Sequence, residues 1–249
     1  MRNIALRLAY DGSAYHGFQA QKGLATVQTE IEKALSIVTR EKVRITGCGR
    51  TDAGVHARTY VANFRTNCGI PADRITYAVN TKLPRDIAVF SAVDVEDRFH
   101  STFSSIRKEY TYVIKSGKIH DPFYANKVHF YPHELDIAAI CAAAERFVGK
   151  HDFAAMRSVG SSVKTTVRVV HYYDVFEEDG FVQLRVCANG FLYNMARAMA
   201  GTLMYVSEGK LTPDDVSKIL ESGKRSYAGP TLPPGGLYMS GVWYENALI

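Results

Sequence analysis

Apolar and polar positions alternate from the start of the chain: Ile4, Leu6, Leu8 and Tyr10 interleave with Ala5, Arg7 and Ala9, the period of a strand with one buried face. Asp11-Gly12-Ser13 breaks it. After Thr26, a good helix cap, the period changes: Val27, Ile31, Ala34, Leu35 and Val38 keep helical spacing. Val43 to Ile45 is a short strand, and Tyr60, Ala62 and Phe64 alternate on the next one. Pro71 suits the first turn of a helix with Ile75, Ala78 and Val79 inward. Leu83-Pro84-Arg85-Asp86 then turns the chain into a strand from Ile87 to Val95. The order is β-α-β-β-α-β, that of the ferredoxin-like split unit.

A polar crossover from Asp94 to Ser105 leads into a second half with the same order. Tyr110, Tyr112 and Ile114 mark a strand, and Leu135, Ala138, Cys141 and Val148 are expected on one face of a helix running to Gly149. Strands from Val167 to Phe176 and from Phe181 to Cys187 flank Glu177-Glu178-Asp179-Gly180, a hairpin turn. Leu192, Met195, Met199, Leu203 and Val206 form an apolar helical stripe, with Tyr193 and Arg197 on another face. Thr212-Pro213 starts a short helix, and Leu237 to Tyr244 is a closing strand. The expected division is 1–103 and 104–249, two α+β halves whose antiparallel sheets flank a central cleft. No sequence similarity links the halves, and such folds host many functions, so the site must decide.

Composition narrows the class. With 249 residues, 47% of them hydrophobic, the chain can bury a substantial core. A net charge of +5 and a pI near 8.9 suit a polyanionic partner. Cys48, Cys68, Cys141 and Cys187 are scattered, which suggests neither a zinc site nor a disulfide framework. No secretory signal or membrane-spanning run is read, so the expected location is the cytoplasm.

The densest chemistry lies in Gly47-Cys48-Gly49-Arg50-Thr51-Asp52-Ala53-Gly54-Val55-His56-Ala57, where three glycines surround one carboxylate. Glycines let a backbone turn tightly and approach a ligand closely, so this loop can hold Asp52 in a fixed position. Asp52 with His56, and His151 with Asp152, are conceivable metal ligands, but neither pair has further ligands at suitable spacing. Arg197 sits beside the apolar stripe, where a cation can serve to keep a carboxylate ionised. Arg157 to Arg168 is basic, without an acidic residue, and suits phosphate contact.

Arg50 to Ala57 resembles the signature of the TruA family of tRNA pseudouridine synthases. Further resemblances follow in order: Tyr10-Asp11-Gly12, Leu83-Pro84-Arg85-Asp86-Ile87, Arg107 to Tyr112, His151-Asp152-Phe153, Asn189 to Met199, and Pro234-Gly235-Gly236-Leu237. The resemblance implies the pseudouridine synthase fold and an enzyme that needs no metal, redox or nucleotide cofactor. It makes Asp52 the catalytic residue, Arg197 its partner, and Tyr110 the residue against the target base. Arg50, Arg58 and Arg168 are expected to contact the RNA. The substrate implied is the anticodon stem-loop of tRNA, at positions 38, 39 and 40, and the assembly a homodimer. Two stretches depart from the family pattern: Ser101-Thr102 where Ala and a basic residue are usual, and Phe18 where Trp is usual. The other readings weighed are a non-catalytic RNA-binding protein with paired ferredoxin-like sheets, and a glycosidase, which would want two cooperating carboxylates.

Overall fold

The computed structural model describes residues 1–158, 160 and 163–245. They form two units, one of residues 1–106 with the chain from Met239 onward, the other of residues 107–238. The closing strand, expected in the second half, thus groups from Met239 with the first unit.

The first unit follows the expected order: β1 (Arg2–Tyr10), α1 (Val27–Thr39), β2 (Ile45–Gly47), β3 (His56–Thr66), α2 (Ala72–Asn80) and β4 (Ile87–Val95). Its sheet runs β4-β1-β3, with β2 also on β3, beside β10 (Leu237–Tyr244). β1 is antiparallel to both neighbours, Leu6 facing Ala62 on β3 and Ala92 on β4. This register puts Ile4, Leu6 and Leu8 on one buried face; Phe64, Ile31, Leu35 and Ile75 are buried in the same unit. Each such side chain contributes about 1.5–3 kcal/mol. Thr26 caps α1 through a reciprocal box with Thr29. The second strand lies two residues later than expected, at Ile45–Gly47.

The second unit contains β5 (Ser105–Ser116, from Arg107), β6 (His129–Tyr131), α3 (Ile137–Glu145), β7 (Gly149–Asp152), β8 (Val167–Glu178), β9 (Phe181–Ala188), α4 (Met195–Ser207) and α5 (Pro213–Ser222). Its strand order is β5-β9-β8-β7, and β6 runs parallel to β5. The expected hairpin is present: Asp179 and Gly180 both have positive φ, as a two-residue turn requires, and Glu178 faces Phe181.

Helix α3 departs from expectation. Its buried residues are Ile140, Ala143 and Ala144, whereas Ala138 and Val148 are exposed and Leu135 precedes the helix. An almost continuous apolar run carries no clear period, so its face could not be read from spacing. The helix ends at Glu145 in tight i to i+3 bonds, and Gly149, at φ 110°, starts β7 instead of closing the helix. Phe147 takes the core position assigned to Val148, against Phe153 and Tyr173. Likewise Tyr193 precedes α4, whose buried residues lie on nearly every side. Among the described residues no helix is long and apolar enough to cross a membrane.

One titration is built into this unit. Burial holds the His129 imidazole below its usual range. Unfolded protein therefore binds more protons than folded protein just below pH 6.5, so stability rises with pH there and falls on acidification. Thermal melts between pH 7 and 5 should show a smaller acid loss for His129→Gln than for the wild type. Equal slopes would remove His129 from the acid response.

Candidate active site

Asp52 opens a turn in which its carbonyl accepts the Val55 N–H at 3.1 Å. Gly54, third in the turn, has φ 78°, which a type II turn demands and other residues resist. The loop after β1 holds this turn from behind. Phe18 N–H donates to Thr51 O at 3.3 Å, Gly54 N–H to Tyr15 O at 3.2 Å, and the Tyr10 and Thr51 hydroxyls share a hydrogen bond of 2.8 Å. The backbones touch so closely that a Cβ on Gly12 would lie 2.0 Å from Val55 O, and one on Gly17 2.3 Å from Thr51 O. Tyr15 is itself anchored, its phenol donating to Asp86 at 2.7 Å. Burial, and after it this bond, push the Tyr15 phenol well above its ordinary range, so it stays protonated.

Gly17→Ala is expected to cut turnover more than tenfold while costing about 1–3 kcal/mol, because it adds both a clash and a strained φ of 84°. Steady-state rates beside a thermal melt check this. Full turnover would show that the Asp52 turn tolerates displacement.

The floor of the loop is aromatic. Phe18 stacks on Tyr60 at 4.2 Å and Tyr10 meets Tyr60 at 5.6 Å, so phenylalanine fills its position as a buried ring. The Tyr60 hydroxyl donates to Gly49 O. Gly47 leaves room for both rings, since its Cβ would meet Phe18 at 2.5 Å. Cys48 is buried with its thiol 3.6 Å from the Met239 sulfur.

His56 is structural. It is 1% exposed, and its Nδ1 accepts the Gly12 N–H at 3.0 Å. The Asp11 carboxylate, also 3.0 Å from Nδ1, accepts from the Ser13 N–H and hydroxyl. Among the described residues no group of three His, Cys, Asp or Glu is placed to hold a metal. His151 instead contacts Val148 O at 2.9 Å, and Asp152 accepts the Ala154 N–H at 2.9 Å. The Ser101-Thr102 departure also has local partners: Ser101 donates to Asn63 and Thr102 to Gly47 O, each at 2.6 Å.

Arg50 and Arg58 are exposed in the first unit. Tyr110, Arg168 and Arg197 belong to the second. Tyr110 is 8% exposed, with Phe191 edge-on at 4.9 Å. Arg197 donates from Nε to Leu232 O at 2.7 Å and from Nη1 to Asn194 Oδ1 at 2.9 Å. Tyr112 binds the adjoining carbonyl of Pro233 at 2.8 Å. Burial raises the Tyr112 phenol far above its ordinary range, while the Arg197 charge opposes this to a lesser degree. Arg168 donates to Thr165 O and Val167 O at 3.0 and 2.7 Å, and burial lowers its pKa from the usual guanidinium value. In the basic stretch around it, Val159, Ser161 and Ser162 lie outside the described residues.

Sequence patterns missed the carbonyls of segment 228–233 that hold Arg197 and Tyr112. This segment packs on α4 at Gly201, whose Cβ would fall 1.8 Å from Pro230 O. A glycine inside an otherwise buried helix was the available signal.

The sequence profile of a family described as tRNA pseudouridine synthase matches residues 8–104 and 143–245. The tRNA pseudouridine synthase A of Thermoanaerobacter sp. (strain X514) is 45% identical over 244 residues, 98% of this chain and 100% of that protein. The protein of the same name from Acetivibrio thermocellus is 44% identical over 244 residues, with the same coverage. Among solved structures, a chain of a Cbf5-Nop10-Gar1 complex aligns at a TM-score of 0.34 and 13% identity, over 96% of this chain and 59% of that one. The family rests on the sequence relatives: a braced Asp52 turn lies within the first matched stretch, Arg197 lies within the second, and the chain belongs to the tRNA pseudouridine synthase family.

Proposed function

We propose that the protein converts uridine to pseudouridine in the anticodon stem-loop of tRNA, with Asp52 as its catalytic residue. The observation that carries this is the Asp52 turn, fixed by backbone contact with Gly12 and Gly17, in a chain of this family. The matched relatives are named as synthases, which favours catalysis over RNA binding alone.

The reaction breaks the ribose C1′–N1 bond and joins C1′ to C5 of the same uracil. A stacked uridine must first flip out, at a cost of a few kcal/mol. Stacking of the base against Tyr110 and phosphate contacts from Arg50, Arg58 and Arg168 offset that cost. Asp52 then either attacks C1′ or removes a sugar proton, and the electron pair of the broken bond stays on uracil. The uracil anion rotates, C5 bonds to C1′ as the Asp52 oxygen leaves C1′ or the sugar proton is returned, and the C5 proton is lost while N1 gains one. Arg197 acts as the orienting partner of Asp52 that the family resemblance implies. The working form is a homodimer with tRNA reaching across both subunits.

The test is unmodified tRNA tritiated at uracil C5, incubated without cofactor. Tritium release without free uracil supports the synthase, and tight binding without release would leave only an RNA-binding protein. Arg197→Ala should lower the rate about 100-fold, the scale of one electrostatic contact at a reacting centre, with tRNA affinity nearly unchanged. Weaker affinity at an unchanged saturating rate would make Arg197 a phosphate contact instead.

A further inference from the structure

Segment 117–128, between β5 and β6, presents apolar side chains to solvent although it is tightly braced. Asp121 Oδ1 accepts the Phe123 N–H at 3.0 Å and caps the 3-10 turn Pro122–Tyr124. The Lys115 ammonium lies between two rings, 5.1 Å from that of Tyr124 and 4.4 Å from that of Phe181. Asn126 has φ 59° and packs against Gly235, where a Cβ would lie 3.0 Å from its Cα. Tyr238 donates to Lys127 O at 2.6 Å. On this frame Phe123 is 91% exposed and Ile119 84%.

A braced, exposed ring is built for contact, since little conformational freedom is lost when it binds. The charge around it indicates the partner. Residues 115–128 carry Lys115, Lys118 and Lys127 against Asp121 alone. A second copy of this chain has the same surplus and a net charge of +5, so charge complementarity favours a polyanion. Exposed aromatics among lysines are the elements of a single-strand nucleic-acid contact.

We infer that Phe123 is a stacking contact for an unpaired base of the RNA substrate, with Lys118 at a neighbouring phosphate. Segment 117–128 is then an RNA-binding element separate from the residues that perform the chemistry. This rests on the proposed tRNA reading and adds to it a place where the substrate is held.

The test measures affinity for unmodified tRNA, single-turnover tritium release at saturating tRNA, and mass by sedimentation, for the wild type, Phe123→Ala, Phe123→Leu and Phe123→Trp. Loss of one stacked base should weaken Phe123→Ala about 5- to 100-fold. Phe123→Leu should be as weak, since it keeps apolar area but no aromatic face, and Phe123→Trp should bind within about twofold of wild type. The saturating rate and the mass should not change. Lys118→Ala should reduce the slope of log affinity against log salt by roughly 0.7–0.9. Unchanged affinity of Phe123→Ala would overturn the inference. Wild-type binding by Phe123→Leu would point to apolar docking, and a lighter particle for Phe123→Ala would make a second copy the occupant; either overturns it too. A wild type that neither binds nor converts tRNA would overturn the functional reading beneath it, an outcome the variants alone cannot produce.

Discussion

Asp52→Asn is expected to fold and bind tRNA almost as the wild type does, and to lose roughly ten-thousandfold or more in turnover, the scale seen when a reacting side chain is removed. Asparagine keeps the size of the side chain and leaves untouched the contacts through the Asp52 carbonyl, the Gly54 N–H and the Thr51 carbonyl and hydroxyl. What is lost is the negative charge and with it the nucleophilicity and basicity of the carboxylate, and both routes open to Asp52 need these. Tritium release over a long time course, beside tRNA binding and a thermal melt, measures all three quantities. Residual turnover within tenfold of wild type would sink the assignment of Asp52.

Gly201→Ala is expected to have the largest effect on stability. The added Cβ would lie 1.8 Å from Pro230 O and 2.9 Å from its carbonyl carbon, and Gly229 opposes Gly201 just as closely. Both contacts are to backbone, and α4 is buried on nearly every side, so neither partner can move aside cheaply. A cost of about 2–4 kcal/mol follows. For a chain of this size that lowers the melting temperature by roughly 5–15 °C. Gly69→Ala, which meets no atom within 4 Å, should stay within about 0.5 kcal/mol. The functional consequence runs through Leu232 and Pro233, whose carbonyls hold Arg197 and Tyr112. Turnover should therefore fall even well below the new melting point. A melt within about 2 °C of wild type would show that the segment yields.

The fold was legible where periodicity was strong. β1, α1 and the first β-α-β-β-α-β order follow from alternation and capping, and the Asp179-Gly180 hairpin from turn chemistry. The three-residue strands β2 and β6 are too short to carry a period, and α3 is too uniformly apolar to show a face. For the site, the glycine word around Asp52 marked the loop. Its brace was not legible, because Gly12 and Gly17 press on a turn about 40 residues away, and only the folded chain brings them together. The same holds for Arg197 and Leu232, 35 residues apart.

Strand β10 lies beside β3, and its Met239 sulfur rests on the Cys48 thiol beneath the Asp52 loop. During synthesis, residues 107–238 must leave the ribosome before this strand can reach its place. A nascent chain stopped at residue 238 holds every residue assigned to the chemistry, yet the support under Asp52 is unfinished. Folding of the Asp52 loop is thus tied to synthesis of β10, and a chain released before it would carry the Asp52 word without the strand that supports it.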